Sequence, residues 1–423
     1  LNIGSESRCF VLAHCAQTQA QSVMKGKKGL IMTETVYIAS GARTPMGGMQ
    51  GCFTDLTAVD LGGLAISEAV NRANLSGGEI QEVIMGCVLP NGLRQGPARQ
   101  AAMDAGIPVE SGATTINKLC GSGMKATMLA HDMIKAGSND IMVSGGMESM
   151  TNAPYMLPKA RGGMRMGHGE IQDSMFTDGL EDAKTGKAMG VFAQDIADQY
   201  QLTREDMDQF AITSLRRAQQ AIEDGSLRAE TAPVTVKSRK GEVVVSDDEQ
   251  PGNANFEKIP TLRPAFKSDG TVRAANSSSI SDGASALVLA SETAIRQKGI
   301  TPIARILGHV TNSRDPSEFT LAPIGAIEKL LEKVGWKKDE VDLFEINEAF
   351  AMVTMLAMKE LGLDHEKVNI HGGACAQGHP IGSSGSRIIV TLMYALKKLE
   401  KRRGVAALCI GGGEATAIAI ELV

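Results

Sequence analysis

The chain repeats itself, and this limits what it can fold into. Residues 322–345, "APIGAIEKLLEKVGWKKDEVDLFE", align with residues 61–84 at an offset of 261: Ile66 meets Ile327, Val70 meets Leu331, Leu75 meets Trp336, Glu79 meets Glu340 and Ile80 meets Val341. At an offset of 262, Ser122 and Gly123 meet Ser384 and Gly385. Each Ser-Gly pair opens a helix that leads to an apolar strand with a glycine run, "DIMVSGG" in one copy and "VAALCIGGG" in the other, and the second copy reads as having four extra residues before its strand. Spacing shared over helix, turn and strand predicts a duplicated α/β domain, each half strand-helix-strand with parallel pairing.

The material for such a fold is present. A chain of 423 residues, 43% apolar, fills two or three core-forming units. Its net charge of −5 argues against a nucleic-acid surface, and no apolar run approaches the roughly 18 residues of a membrane helix. Small-molecule substrates follow. The seven cysteines are odd in number, dispersed and without a CxxC pair, the pattern of reduced thiols in a cytosol-like compartment rather than of a disulfide frame or zinc site. No metal ligand set is expected.

Residues 1–31 differ from the rest and fail as a signal peptide. The expectation is an extension outside the fold with the native start at Met32, "KGKKG" upstream being a translated purine-rich ribosome-binding site. From there "TVYIASGARTP" reads as a strand, "VDLGGLAISEAVNRANL" as a helix and "EVIMG" as a strand. An irregular stretch over about 151–268 separates the repeats. Within it Thr203 can cap a helix that Gly225 stops. A long insertion in a compact fold usually covers a site.

Chemistry concentrates at loops following the repeated strands. "NKLCGSGMKA" (117–126) contains G-x-G-x-x-A, a weak match to a dinucleotide loop, because it comes late in its repeat and Asp140 precedes its strand. Cys120 just before an apolar helix fits a nucleophile better, since helix N–H groups favour thiolate. The matching loop of the second copy, "NIHGGACAQGHPIGSSGSR", carries His379; "LCIGGGEA" places Cys409 at a strand end; and "EINEAFA" gives Asn347 and Glu348 after another strand. Each alone is ordinary. Together they lie where parallel sheets bind ligands.

Taken with "GGMESMTNAP", these stretches resemble the signatures of the thiolases over essentially all of 32–423. The resemblance implies the thiolase fold, an α/β fold of two duplicated βαβ-type halves in a layered αβαβα arrangement. One sheet per half is expected, with helices between and outside them. It divides the chain into 32–150 with 269–300 as the N-terminal half, 151–268 as an inserted loop domain covering a coenzyme A site, and 301–423 as the C-terminal half. It further implies reversible Claisen condensation of two acetyl-CoA to acetoacetyl-CoA and CoA through an acetyl-cysteine.

In that scheme Cys120 is acylated, His379 lowers its pKa and polarises the thioester oxygen, and Cys409 exchanges the proton with substrate carbon. Two donor sets are implied for the developing negative charge. One is His379 with a water held by Asn347; the other is the backbone N–H groups of Cys120 and Gly411. Glu348 is read as an orienter, and His371 and Cys375 as shaping residues. Coenzyme A contacts carry over to Leu180, Met189, Phe266, Ala274 and Ser278, with Phe350 near the acyl pocket. Lys237, Arg239 and Lys240 are candidates for its phosphates or a solvated face. No cofactor is implied, CoA being substrate and product. A homodimer or homotetramer in the cytoplasm is expected, with no nucleic-acid or membrane partner.

Departures from the family pattern bear on coenzyme A binding. Lys187 and Ala188 stand where short-chain biosynthetic members commonly carry Tyr-His, and "DEQPGNANFEKIP" replaces a basic-aromatic contact. Two alternatives stay open: a degradative 3-ketoacyl-CoA thiolase for longer chains, and a non-catalytic acyl-CoA binder. A decarboxylating condensing enzyme usually has a second histidine where this chain has Cys409.

Overall fold

The computed structural model describes residues 34–238 and 241–423. The expected extension with its start at Met32, and Arg239 and Lys240 of the basic cluster, lie outside the described residues. Lys237 is exposed on a hairpin opposite Glu242.

In the first half β1 (Val36–Arg43), α1 (Ala58–Arg72), β2 (Glu82–Gly86), α2 (Pro97–Asp104), β3 (Gly112–Ile116), α3 (Ser122–Lys135) and β4 (Ile141–Ser149) follow in turn. The insertion contributes α4 (Met189–Gln199) and α5 (Arg204–Glu223), after which the chain returns through β5 (Ser281–Ser291). The second half runs β6 (Ala304–Ser313), α6 (Ala322–Val334), β7 (Leu343–Ile346), α7 (Ala351–Leu361), α8 (Ser384–Lys398), β8 (Arg403–Ile410) and β9 (Glu414–Leu422).

Local chemistry sets these boundaries. Thr57 opens α1 with a reciprocal capping box: Asp60 N donates to its hydroxyl at 3.2 Å and its own N donates to the Asp60 carboxylate at 2.8 Å. Leu61, Ala65, Ile66, Ala69 and Val70 then form one buried stripe at helical spacing. Thr203 caps α5 as expected, accepting from Asp206 N at 3.1 Å. That helix ends at Glu223, and Gly225 beyond it is left-handed.

Strand order shows the duplication directly. The first half is ordered β3-β2-β4-β5-β1 and the second β7-β8-β9-β6, with Val368 bridging to β7 where a counterpart of β3 would lie. Parallel pairing holds for β2 with β3 and β4, and for β7 with β8; the remaining pairs are antiparallel. Two expectations need correction. The halves do not keep separate sheets: Tyr37 and Ile38 of β1 pair with Arg305 and Ala304 of β6, joining both into one ten-stranded sheet whose tenth strand is the short Gly47–Gly48 paired to β5. Each half would otherwise end on an open edge there, with unpaired backbone groups. Nor does the second copy carry extra residues before its strand, since β4 starts at Ile141 and β8 at Arg403, still 262 apart. The glycine runs misled because Gly145 and Gly146 lie inside β4 whereas Gly411 to Gly413 form the turn after β8.

Three cores stack the layers. Ile66 and Val70 of α1 pack with Val143 and Ala286 on one outer face, and Ile327 and Leu330 of α6 pack with Phe344 and Ala417 on the other. Between them α3 and α8 share a core with strands of both halves, including Met124, Ile388, Leu392, Met142 and Ile418. At about 1.5–3 kcal/mol per large side chain, this central layer is a main stabilising unit. Its Ser-Gly pairs let the helices touch. A Cβ on Gly385 would stand 2.4 Å from Met124 N, and one on Gly123 would stand 2.7 Å from Ser386 N.

Candidate active site

Between β3 and α3 the chain reverses within a few residues. Leu119 takes a left-handed φ of 49°, unusual for a residue with a side chain and worth about 1–3 kcal/mol of strain. Ser122 N donates to Leu119 O at 2.9 Å, and Lys118 N donates to the Ser122 hydroxyl at 2.8 Å, so helix start and turn lock each other. Cys120 stands on this turn, half-buried and opening on a cavity. Burial pushes its thiol up to about 11, opposed by hydrogen bonds from the backbone N–H groups of Gly411 and of Cys120 itself. The helix end therefore does not make a resting thiolate: desolvation outweighs it.

His379 follows Gly378, whose φ of 106° and contact with Ser281 admit no side chain: a Cβ would lie 2.2 Å from the Ser281 hydroxyl. His379 N donates to that hydroxyl at 3.2 Å. Its Nδ1 lies 2.5 Å from the Ser384 hydroxyl, which donates to Pro380 O at 3.0 Å. With that one proton on the carbonyl, Ser384 accepts from Nδ1–H, which leaves the Nε2 lone pair free. Nε2 is buried without a protein partner. Burial, and then the charge of Arg387, push the imidazole down to about 3, so it is neutral and can receive a proton.

Cys409 is buried at the end of β8, its thiol held well above the usual range by burial and then by Cys120. Asn347 follows β7, and its N donates to Ala407 O at 3.0 Å. Arg387 of α8 donates to its Oδ1 at 3.4 Å, which turns Nδ2 away without a protein partner. Glu348 accepts from Ser214 Oγ at 2.7 Å, Asn369 Nδ2 at 2.8 Å and Cys375 N at 3.1 Å, fixing the turn that leads to His379. Cys375 and His371 do not border the cavity.

The cavity measures about 280 Å³. Cys120, His379, Cys409 and Gly411 border it, and Leu180, Met189 and Phe266 of the insertion face them together with Ser278 and Phe350. Ser278 is tied to the "NEAFA" segment, both its N and its hydroxyl donating to Ala349 O at 3.0 Å. Ala274 is exposed and off the cavity, and Asn347 is buried without bordering it. Ala188 borders it, while Lys187 places its ammonium 5.8 Å from the Phe192 ring centroid. Two thiols and an imidazole on one apolar cavity can pass protons between sulfur, nitrogen and a bound carbon acid.

Family models described as "Thiolase, N-terminal domain" and "Thiolase, C-terminal domain" match residues 36–293 and 300–422. The chain belongs to the thiolase family. It is 47% identical over 396 residues to the acetyl-CoA acetyltransferase of Schizosaccharomyces pombe, covering 93% of this chain and 100% of that one. Against the acetyl-CoA acetyltransferase of Escherichia coli the identity is 45% over 386 residues, with 91% and 98% covered. Among solved structures, the Acat5 thiolase of Ascaris suum in complex with coenzyme A superposes with a TM-score of 0.87 at 42% identity, covering 92% of this chain and 100% of that one. The Bacillus anthracis acetyl-CoA acetyltransferase gives 0.90 at 41%, covering 92% and 99%.

Three residues of this thiolase escaped the sequence reading. Ser384 was seen only as a helix start, yet it sets the His379 tautomer. Arg387 sits one turn into α8 and positions Asn347. Glu148 of "GGMESM" is fully buried and accepts from Val88 N at 3.0 Å, Leu89 N at 3.1 Å and Gly382 N at 2.8 Å. It ties the loop after β2 to the loop carrying His379, and burial pushes its carboxyl up to about 7. The motif signalled it; nothing local told its role. Among the described residues, no helix is long and apolar enough to cross a membrane.

Proposed function

We propose that this thiolase is an acetyl-CoA C-acetyltransferase that condenses two acetyl-CoA to acetoacetyl-CoA and CoA, reversibly, through an acetyl-Cys120 intermediate. The observation that carries the reading is the convergence of Cys120, His379, Cys409 and Gly411 on one cavity. Cys120 gives its proton to His379 Nε2 and attacks the thioester carbonyl, whose oxygen takes charge beside donor N–H groups. The CoA thiolate leaves with the Cys409 proton. This leaves a Cys409 thiolate facing an imidazolium, which lowers the cost of the buried charge. Cys409 then removes a proton from the α-carbon of the second acetyl-CoA, the carbanion attacks acetyl-Cys120, and the freed Cys120 thiolate recovers its proton from His379. Every proton is accounted for by side chains, so the scheme asks for no cofactor.

A short acyl group is favoured because Met150, Phe319 and Phe350 border the small cavity. The similarity of name among the relatives supports the same substrate. The test is thiolysis of acetoacetyl-CoA by free CoA, followed as loss of enolate absorbance. Rapid turnover, exceeding that on a 3-ketooctanoyl-CoA, is expected. No turnover by folded, reduced protein would overturn the reading.

The proposal extends to a homodimer or homotetramer in the cytoplasm. Exposed apolar residues on the 155–171 stretch, with Met166 at 98% and Ile171 at 68% exposure, support association. The five described cysteines, all free, suit a reducing compartment. Light scattering on the purified protein checks the oligomer; a monomer at micromolar concentration would remove that part.

A further inference from the structure

Away from the cavity, about 16 Å along α3 from Cys120 at 1.5 Å per residue, His131 and Asp132 meet His309 of β6. His131 Nδ1 and His309 Nε2 each lie 3.0 Å from Asp132 Oδ1, and the two nitrogens are 3.1 Å apart. Both imidazoles are buried, their rings crossing at 88°, while Asp132 opens to solvent.

Three mutual contacts among three such atoms cannot all be hydrogen bonds. A neutral imidazole carries one N–H. If both facing nitrogens are protonated, both donate to the carboxylate but their protons confront each other. If only one is protonated, the other turns a lone pair towards a carboxylate oxygen. If neither is, lone pairs face each other throughout. Every neutral tautomer leaves a repulsive contact, and a cation shared by three lone pairs removes it. The spacing fits such an ion: bonds of about 2.1 Å place neighbouring ligands on an octahedral face about 3.0 Å apart, against about 3.4 Å for a tetrahedron.

We propose that His131, Asp132 and His309 form a binding site for a first-row divalent transition-metal cation, with water completing the shell on the side where Asp132 meets solvent. Ligation needs neutral imidazoles, and both rings are buried away from the solvent that would stabilise their charged form. Lys125, Lys135 and Lys333 weigh against a cation by their charge, although Lys333 turns its ammonium to His309 O at 2.8 Å. Their repulsion lowers affinity for any cation, and two nitrogen ligands favour Zn²⁺, Co²⁺ or Ni²⁺ over Mg²⁺ and Ca²⁺. The ion ties the far end of the nucleophile helix to the first strand of the other half, a structural role separate from the chemistry.

The test titrates chelator-treated full-length protein with Zn²⁺ by calorimetry and with Co²⁺ by visible absorption. One equivalent per chain is expected, with weak d–d bands and no sulfur charge-transfer band, and saturating Zn²⁺ should raise Tm by about 2–4 °C. This equivalent persists in Cys120→Ala, which separates it from the Cys120 thiol. His309→Ala abolishes it, and Asp132→Asn, an exposed change that leaves the fold intact, weakens it by about tenfold or more. Absence of binding overturns the site. So does an equivalent that survives both His309→Ala and Asp132→Asn, which is then an adventitious ion only.

Discussion

Helices α3 and α8 occupy the same place in their halves and bury different chemistry. α3 follows the thiol of Cys120 and buries Ser122, Thr127 and His131 among Met124, Met128 and Ile134, with no charged side chain enclosed. α8 follows the imidazole of His379 and buries Ser384, Ser386, Arg387 and Thr391. At the repeat offset Lys125 of α3 corresponds to Arg387 of α8. Lys125 is half-buried; Arg387 is enclosed, with the Glu345 carboxylate acting on it and Asn347 accepting from it. Burial in turn pushes Glu345 up to about 8. On the proposed mechanism one scaffold made twice has been divided: the first copy presents the nucleophile, and the second holds the groups that receive and place protons.

Removing the sulfur breaks this division most severely. Cys120→Ala should lower kcat for acetoacetyl-CoA thiolysis by ~10⁴-fold or more with the protein still folded, as read from enolate absorbance and circular dichroism. Residual turnover within tenfold of the parent would show that the first copy does not supply the nucleophile.

Arg387→Gln comes next. It removes the buried cation that acts on Glu345 and frees Asn347, so a stability loss of about 1–3 kcal/mol and a lower kcat at nearly unchanged KM are expected. Lys125→Gln at the matching place should stay within about 0.5 kcal/mol of the parent. Equal losses in a denaturant titration would mean that the two helices are not specialised after all.

Ser384→Ala removes one hydrogen bond from His379. The expected fall in kcat is about 10- to 100-fold, the worth of a charge-assisted bond of roughly 1.5–3 kcal/mol. Ser384→Thr, which keeps the hydroxyl, should recover most of it.

The mildest test is chemical. A Cys120 thiol near 11 stays protonated at neutral pH, so its alkylation by iodoacetamide should quicken about tenfold per pH unit between 7 and 10. His379, charging only near 3, should add no step between pH 5 and 8. A plateau beginning below pH 8 would mean that the helix end wins over desolvation after all.

Much of the repeated frame was legible because amphipathic spacing survives duplication: Ile66 and Ile327 are both fully buried on α1 and α6, and Ile80 and Val341 are both buried just before β2 and β7. What escaped depends on contacts distant in the chain. Nothing in "TVYIASG" says that Tyr37 pairs with Arg305, and nothing in "GSSGSR" separates a buried guanidinium from a surface one. Cysteine and histidine positions showed in the loops, but their protonation did not, since it follows from burial by residues far along the sequence. Ala274 shows the same limit from the other side: it shares a segment with Ser278, yet the chain turns it outward.

Strand β9, Glu414–Leu422, lies inside the sheet between β8 and β6 and is translated after the other strands of that sheet. Until it has left the ribosome, the second half lacks an interior strand and the shared helical layer lacks Ile418 and Ile420. A nascent chain thus carries a complete nucleophile loop long before it has a closed core, and its apolar helices must be shielded during that interval. Its dependence on chaperones should rise with translation time, and deletion of Glu414–Leu422 should cost it assembly rather than merely activity.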